Sequence, residues 1–397
     1  MSNWVIMRVI KGKAYIFLLL LLTGCIERYY PESDEIFTGT LVINAALTNI
    51  TGSQTIQISR SDGLLNPEFI PESSCVVELE SQSGDQLSFS ETTPGYYSAN
   101  VPEEFMRIGD QYLLRVVTSN GNVYLSEYSR LHPPSAIDKV YYELESYPTS
   151  DPEVSIDGIQ FYIDFQIDAD SSEFMRWELV ETYEFHNPDY EGFIYSFDRV
   201  LRPFPDSLDD RQCWITGHVN EIYTLDAANL SSPAYTYMPL HFVSNETQRL
   251  SYGYSLLVRQ HAMDEPSFRY WDELKKNSHA QSGLYDRLPS MTTSNISSVA
   301  DPEERVLGFF GVSGVAEERF FVKEVEGLKK YDVRFCWPSP EMPRFRYMMF
   351  VDLPLYTSTA NDPETGELHR GETVLKCLDC RVRKGSSGDP PDFWPID

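Results

Sequence analysis

Basic residues are scarce in this chain. Its 397 residues hold 32 Lys and Arg against 60 Asp and Glu, a formal net charge of −28 at pH 7. A surface so short of cations has little with which to neutralise a row of phosphates. Nucleic acid is therefore excluded as an expected partner, and so is docking on anionic lipid head groups. Long apolar runs are scarce too: beyond Leu22 no stretch approaches the roughly 18 residues of a membrane-crossing helix. Catalytic signatures are missing, with no GxSxG, HExxH, P-loop or GxGxxG. His132, His186, His218, His241, His261, His279 and His369 form no i, i+4 or HxH pair and read as strand or surface residues. No internal repeat or low-complexity tract is present. The expectation is a protein that is not an enzyme, with no cofactor and no metal. A hydrolase with a diffuse carboxylate site is the residual enzymatic reading, because among 60 acidic residues a pair of carboxylates carries no information.

What the chain does have begins at residue 1. Arg8, Lys11 and Lys13 form a basic segment, Ala14 to Leu22 an apolar one, and Thr23-Gly24 are small. That is the pattern of a secretory signal, too short to span a bilayer. Leu22-Thr23-Gly24-Cys25 looks like the lipobox of bacterial lipoproteins, so residues 1–24 are expected to be removed and Cys25 to carry the lipid. Residues 25–37 then form an acidic tether holding Glu27, Glu32, Asp34 and Glu35. Acidic residues in that place resemble the surface-export signal of Bacteroidota lipoproteins. The expected location is the outer membrane, lipid-anchored and exposed at the cell surface.

Abundant Tyr (25) and Phe (22) lean toward β structure. Residues 38–132 read as seven short strands parted by turn signals such as Ser83-Gly84-Asp85 and Asn120-Gly121. That spacing predicts a β-sandwich of immunoglobulin-like or transthyretin-like type. His132-Pro133-Pro134 marks a stiff boundary. Residues 135–397 read as a second β-rich, sandwich-like domain with longer loops and a Cys-containing tail. It has one short helix, predicted over 266–278 with Phe268, Trp271 and Leu274 on one face. The fold class is thus mainly β, two sandwich-like domains.

With Cys25 lipidated, five cysteines remain. Cys213, Cys336, Cys377 and Cys380 are the disulfide candidates, in two bridges with three connectivities open, and Cys75 is expected as a buried thiol. Cys377-Leu-Asp-Cys380 alone is half a zinc site and lacks the βαβ context of a redox pair. Asp164, Asp168, Asp170 and Glu173 cluster as an oxygen-rich loop, but the EF-hand glycine and spacing are absent and an ordinary Asp-rich turn is expected. Gly311-Val312-Ser313-Gly314 superficially suggests a nucleophile elbow; it falls between two predicted strands and reads as a β-turn. Tyr29, Tyr30, Tyr190, Tyr195, Trp214, Tyr235 and Tyr237 are the aromatics eligible to face a ligand or partner.

Several segments together carry a resemblance. They are LVINAALTN (41–49), TIQISRSDG (55–63), YWDEL (270–274), GLYDRLPSMTTSNI (283–296), ERVLGFFGVSG (304–314) and CLDCRVRKGSSGDPPDFW (377–394). With the lipobox they resemble the Bacteroidota outer-membrane lipoproteins of domain of unknown function 4249. That family has a Gly-Gly near Lys384-Gly385-Ser386, where this chain has Ser386. The resemblance implies an accessory or ligand-capture protein of a TonB-dependent outer-membrane β-barrel, since such proteins are often encoded beside one. It brings no catalytic residues. The alternative is a free-standing surface binding protein or adhesin for glycan, peptide or host matrix. The ligand is left open.

Overall fold

The structure is a computed structural model. It describes residues 39–62, 68–151, 153–198, 200–205, 211–228, 230, 232–279, 293–329, 336–338, 353–361 and 366–395. Cys25, the signal segment and the tether, including Tyr29 and Tyr30, lie outside the described residues. The first strands are β1 (Leu41–Thr48), β2 (Gly52–Arg60), β3 (Ile70–Pro71), β4 (Val76–Ser81), β5 (Gln86–Thr93), β6 (Tyr96–Val101), β7 (Gln111–Val117), β8 (Val123–Ser126) and β9 (Ser129–Arg130). Next come β10 (Ile137–Pro148), β11 (Ser155–Gln166), β12 (Phe174–His186), β13 (Glu191–Tyr195), β14 (Leu201–Pro203), β15 (Gln212–His218), β16 (Tyr223–Asp226), β17 (Ala234–Ser244) and β18 (Tyr254–Met263). Helix α1 (Glu265–His279) precedes β19 (Ile296–Ser298), β20 (Val306–Val322), β21 (Leu355–Asn361) and β22 (Leu368–Thr373). A one-turn α2 (Leu375–Leu378) and β23 (Ser386–Ser387) come last among the described elements.

The chain is mainly β, as its composition and strand spacing predict. Period-2 alternation drives the first sandwich. In β1 Leu41, Ile43, Ala45 and Leu47 all face the core, and in β7 Tyr112, Leu114 and Val116 do the same from the facing sheet. Strand β5 serves both sheets: Gln86 to Phe89 pair with β4, and Ser90 to Thr93 pair with β6. This sandwich also recruits distant chain. Residues 306–313 of β20 run parallel to β1, from Leu41 opposite Val306 to Thr48 opposite Ser313, and β19 pairs with β8. Ile296, Val306, Phe310 and Val312 thereby enter the first core. The His132-Pro133-Pro134 boundary is a boundary along the chain but not in the sheet.

The second half of β20 pairs antiparallel with β18, β18 with β12, and β12 with β15 and β16. This sheet packs on the three-stranded sheet β10-β11-β17 around Ile159, Phe161, Ile163, Trp177, Leu256 and Val258. A separate sheet, β14-β13-β21-β22, centres on Tyr195 and Leu355.

One sequence expectation is corrected here. Gly311-Val312-Ser313-Gly314 is not a turn; it lies inside the continuous 17-residue strand β20. Its glycines serve close approach. A Cβ on Gly314 would stand 2.1 Å from the His132 carbonyl oxygen, and one on Gly311 would stand 2.7 Å from Ser267 Oγ. Glycine inside a strand marks a place where another backbone or element crosses it. β20 is therefore one strand shared by both sandwiches, crossed on its way by the boundary segment and by α1.

Candidate functional site

The crossing of α1 over β20 creates the site. Asp264 follows β18 and caps the helix: its Oδ1 accepts from the Ser267 backbone N–H at 3.0 Å. Its Oδ2 accepts from Ser129 Oγ at 2.7 Å and from the Arg130 N–H at 3.2 Å, which ties the helix start to β9. Glu265 and Pro266 fill the first turn, where an acid suits the dipole and a missing N–H costs nothing. The helix spans 265–279 against the predicted 266–278. Phe268 packs on Phe174 at 5.2 Å, and Tyr270 stacks on Phe309 at 4.7 Å.

Under the helix lies a cavity of about 350 Å³ at the seam of the two sandwiches. The outer face of β1, β2 and β6 contributes Asn44, Ala46, Gln57 and Tyr96, while β20 contributes Phe309 and Ser313. Met263, Ser267, Tyr270, Trp271 and Arg176 close it from the other side. Arg176 reaches it because β12 alternates. Met175, Trp177 and Leu179 point into the second core, and Arg176 and Glu178 point the opposite way, toward β20 and α1. The Arg176 guanidinium lies over the Trp271 ring at 4.2 Å.

A polar network backs the cavity. Arg176 Nη2 stands 3.2 Å from His261 Nε2 across the β12–β18 pair, and His261 Nδ1 stands 2.9 Å from Ser313 Oγ. Glu178 lies 3.2–3.5 Å from Arg176, His218, Arg259 and His261. Its contact with His261, together with Arg176 and Arg259, holds its carboxyl at about 2. Burial, reinforced by Arg176, pushes His261 down to about 4, so its ring is neutral near pH 7. Burial also lowers Arg176.

Ser313, His261 and Glu178 form a line that invites comparison with a hydrolytic triad. His261 Nε2 is shared, facing Arg176 Nη2 at 3.2 Å and Glu178 Oε2 at 3.4 Å. A proton on Nε2 serves Glu178 and leaves Nδ1 to accept from Ser313 Oγ, whereas a proton on Nδ1 serves Ser313 and leaves Nε2 to accept from Arg176. A serine is activated only when the nitrogen beside it carries a free lone pair. Either way the network orients Ser313 and fixes Arg176 at the cavity wall.

The residues singled out from sequence fall elsewhere. Cys213 bonds Cys380 and Cys336 bonds Cys377, so neither half of the Cys-x-x-Cys pairs with the other and none of the four is left for metal. The first bridge sits with Phe185 in a small core, and β23 pairs beside it on β15. Cys75 is free and only half-buried, a correction of the expected buried thiol. It stands just before β4, its N–H donating to the Tyr97 hydroxyl at 3.1 Å. Asp164 is structural: it accepts from Tyr141 Oη at 3.1 Å and from the Tyr237 N–H at 2.8 Å. Asp168 and Glu173 line an open hollow with His132, Asp264 and Glu265. Among the described residues no group of His, Cys, Asp and Glu is placed to hold a metal ion.

Of the eligible aromatics, Tyr195 and Trp214 are buried, and Tyr190 and Tyr235 are half-buried. Tyr237 alone among those described is exposed, at 48%. Its φ of 63° is left-handed, a conformation uncommon for a bulky residue, and its N–H is held by Asp164. It stacks on Tyr162 at 4.0 Å and donates to Glu143 at 2.5 Å. Sequence reasoning missed Arg176, Ser267 and Tyr270. The helix pattern placed Trp271 correctly, but nothing along the chain pairs Arg176 with it.

The sequence profile of the family described as Domain of unknown function (DUF4249) matches residues 26–319. That span includes every residue lining the cavity and stops before the closing cysteine pair. No curated protein matches the chain. Among solved structures, an alpha-L-rhamnosidase from Dictyoglumus thermophilum is similar at 14% identity with a TM-score of 0.19, over 59% of this chain. The match spans 28% of the length of that protein, and at that TM-score it carries no argument.

Proposed function

The chain belongs to the DUF4249 family, and from that premise we propose that it is a lipid-anchored, surface-exposed outer-membrane protein that captures a small ligand for a TonB-dependent β-barrel transporter. The anchor in this reading is Cys25, and the acidic tether holds the two sandwiches away from the membrane. The observation that carries the reading is the seam cavity. It is concave and largely apolar, and it is built by both sandwiches around one buried arginine, the usual make-up of a small-molecule site.

Gentle detergent extraction of the native outer membrane with this protein tagged, followed by mass spectrometry, tests the reading. A stoichiometric TonB-dependent barrel is the expected result, and a lipoprotein that purifies alone would overturn it. A second reading, a free-standing glycan-binding surface protein, has one observation in its favour. The exposed Tyr237, stacked on Tyr162 beside Glu143 and Asp164, offers a sugar a flat ring and flanking acceptors. Retention of this protein on immobilised glycans, lost in Tyr237→Ala, would favour that reading.

A further inference from the structure

We infer that the seam cavity takes a small organic anion, a carboxylate carried on a flat apolar body, and that Arg176 and Ser267 receive the carboxylate. This rests on the capture reading above and names the ligand class of the same cavity.

Three independent features converge on it. First, Arg176 Nε and Ser267 Oγ are both buried side-chain atoms without a hydrogen-bond partner, and both residues line this one cavity. Buried polar groups are almost always satisfied, and leaving a charged donor unmet is costlier than leaving a neutral one. An acceptor entering the cavity answers both at once, and a carboxylate has two oxygens to offer.

Second, the charge of the lining is skewed. The chain carries 60 acidic residues, yet no Asp or Glu is among the described residues that line the cavity, and Arg176 is their only charge. Glu178, the carboxylate nearest to Arg176, stands 3.5 Å away and is shared with His218 and Arg259. The guanidinium therefore keeps attraction for a second anion, and an amine in the same place meets repulsion. Third, the remaining walls suit a flat apolar body. Met263, Tyr270, Trp271 and Phe309 supply rings and a thioether around the arginine.

The test is calorimetry on the full-length protein in detergent. The probes are phenylacetate, indole-3-acetate and hexanoate, each with its amide and its amine, plus inorganic phosphate. At least one carboxylate is expected to bind about tenfold or more tighter than its own amide, with the amine silent. Arg176→Met is expected to abolish that difference. Because removal of a buried arginine can disturb folding, Ser267→Ala serves as the second variant. It should weaken the carboxylate several-fold and leave the melting temperature in place. Amides or amines that bind as well as carboxylates overturn the inference and leave ligand capture standing. Phosphate binding as tightly as the carboxylates overturns the apolar body. Silence from every probe at millimolar concentration overturns the inference outright, whereas the barrel reading is decided separately by co-purification.

Discussion

The two ends of β12 are held in opposite ways. At its far end, near His186, the chain is stapled. Cys213–Cys380 closes a loop with a sequence separation of 167, Cys336–Cys377 one of 41, and β23 adds a short strand to β15. Asn187 Nδ2 donates there to the Lys376 carbonyl at 3.0 Å and Arg383 Nη2 to Asn187 Oδ1 at 2.7 Å, although Trp214 Nε1 is buried without a partner. Trp394 fills the space above Gly253, where a Cβ would meet its ring at 2.6 Å. At the near end, around Arg176, the fastening is a capped helix laid over β20, with a cavity beneath and donors left unanswered. One end is covalently closed, the other open over a largely apolar cavity that holds a single charge. Covalent closure of the first kind holds a fold together, and a concavity of the second kind is where a small molecule fits.

The largest expected effect breaks this comparison at the stapled end. Cys213→Ala with Cys380→Ala should lower stability by about 3–5 kcal/mol, because a long loop regains its freedom in the unfolded chain. The measurement is denaturant unfolding under non-reducing conditions. Trp271 fluorescence at the seam should stay native in the variant until global unfolding. A seam that loosens first would mean the two ends are one unit.

The stapled end was the more legible in sequence. Four cysteines left over in a chain read as exported announce two bridges, but their pairing depends on which strands become neighbours, and that is set by the sheet. The helix was legible because Phe268, Trp271 and Leu274 repeat at helical spacing after a proline. The strand segments were legible from alternation. What failed was the reading of glycine. Gly311 and Gly314 looked like turn residues because local sequence does not show what crosses a strand, and here Ser267 and the His132 carbonyl do. The site failed for the same reason. Arg176 is a single polar residue on an alternating strand, indistinguishable from a solvent-facing one until β18, β20 and α1 cover that face.

A smaller effect separates the ends by pH. His261 is pushed down from 6.5 to about 4 and Glu178 from 4.5 to about 2. Between each pair of values the unfolded chain holds a proton that the folded one lacks, so stability rises with pH through both windows. Stability is full above about pH 6.5 and falls on acidification, first through His261 and then, below about 4.5, through Glu178. Each step is worth up to about 3 kcal/mol. Unfolding curves at pH 7, 5 and 3 should show both steps, and His261→Gln should flatten only the first. At the disulfide end Asp379, held below the usual carboxylate range by Arg381, adds to the acid limb alone, so the double-alanine variant above should keep the His261 step between about pH 6.5 and 4. A His261 step that changes with the bridge would show that the seam network leans on the staple.

The smallest effect sharpens the comparison with one substitution made twice. Ser386 Oγ donates at 2.8 Å to the Cys380 carbonyl and lies 2.7 Å from that of Arg383, so Ser386→Ala removes a bond already formed. A loss of about 1 kcal/mol is expected. Ser267 Oγ has no partner to lose, while the cap that holds its turn runs through its backbone N–H and survives the change. Ser267→Ala should therefore be neutral, or stabilising by a few tenths of a kcal/mol, because a buried hydroxyl without a bond gains nothing from folding. Thermal unfolding of the two variants side by side is the measurement. If Ser267→Ala destabilises as much as Ser386→Ala, the hydroxyl under the helix is already satisfied, and the seam is packed in the same manner as the tail.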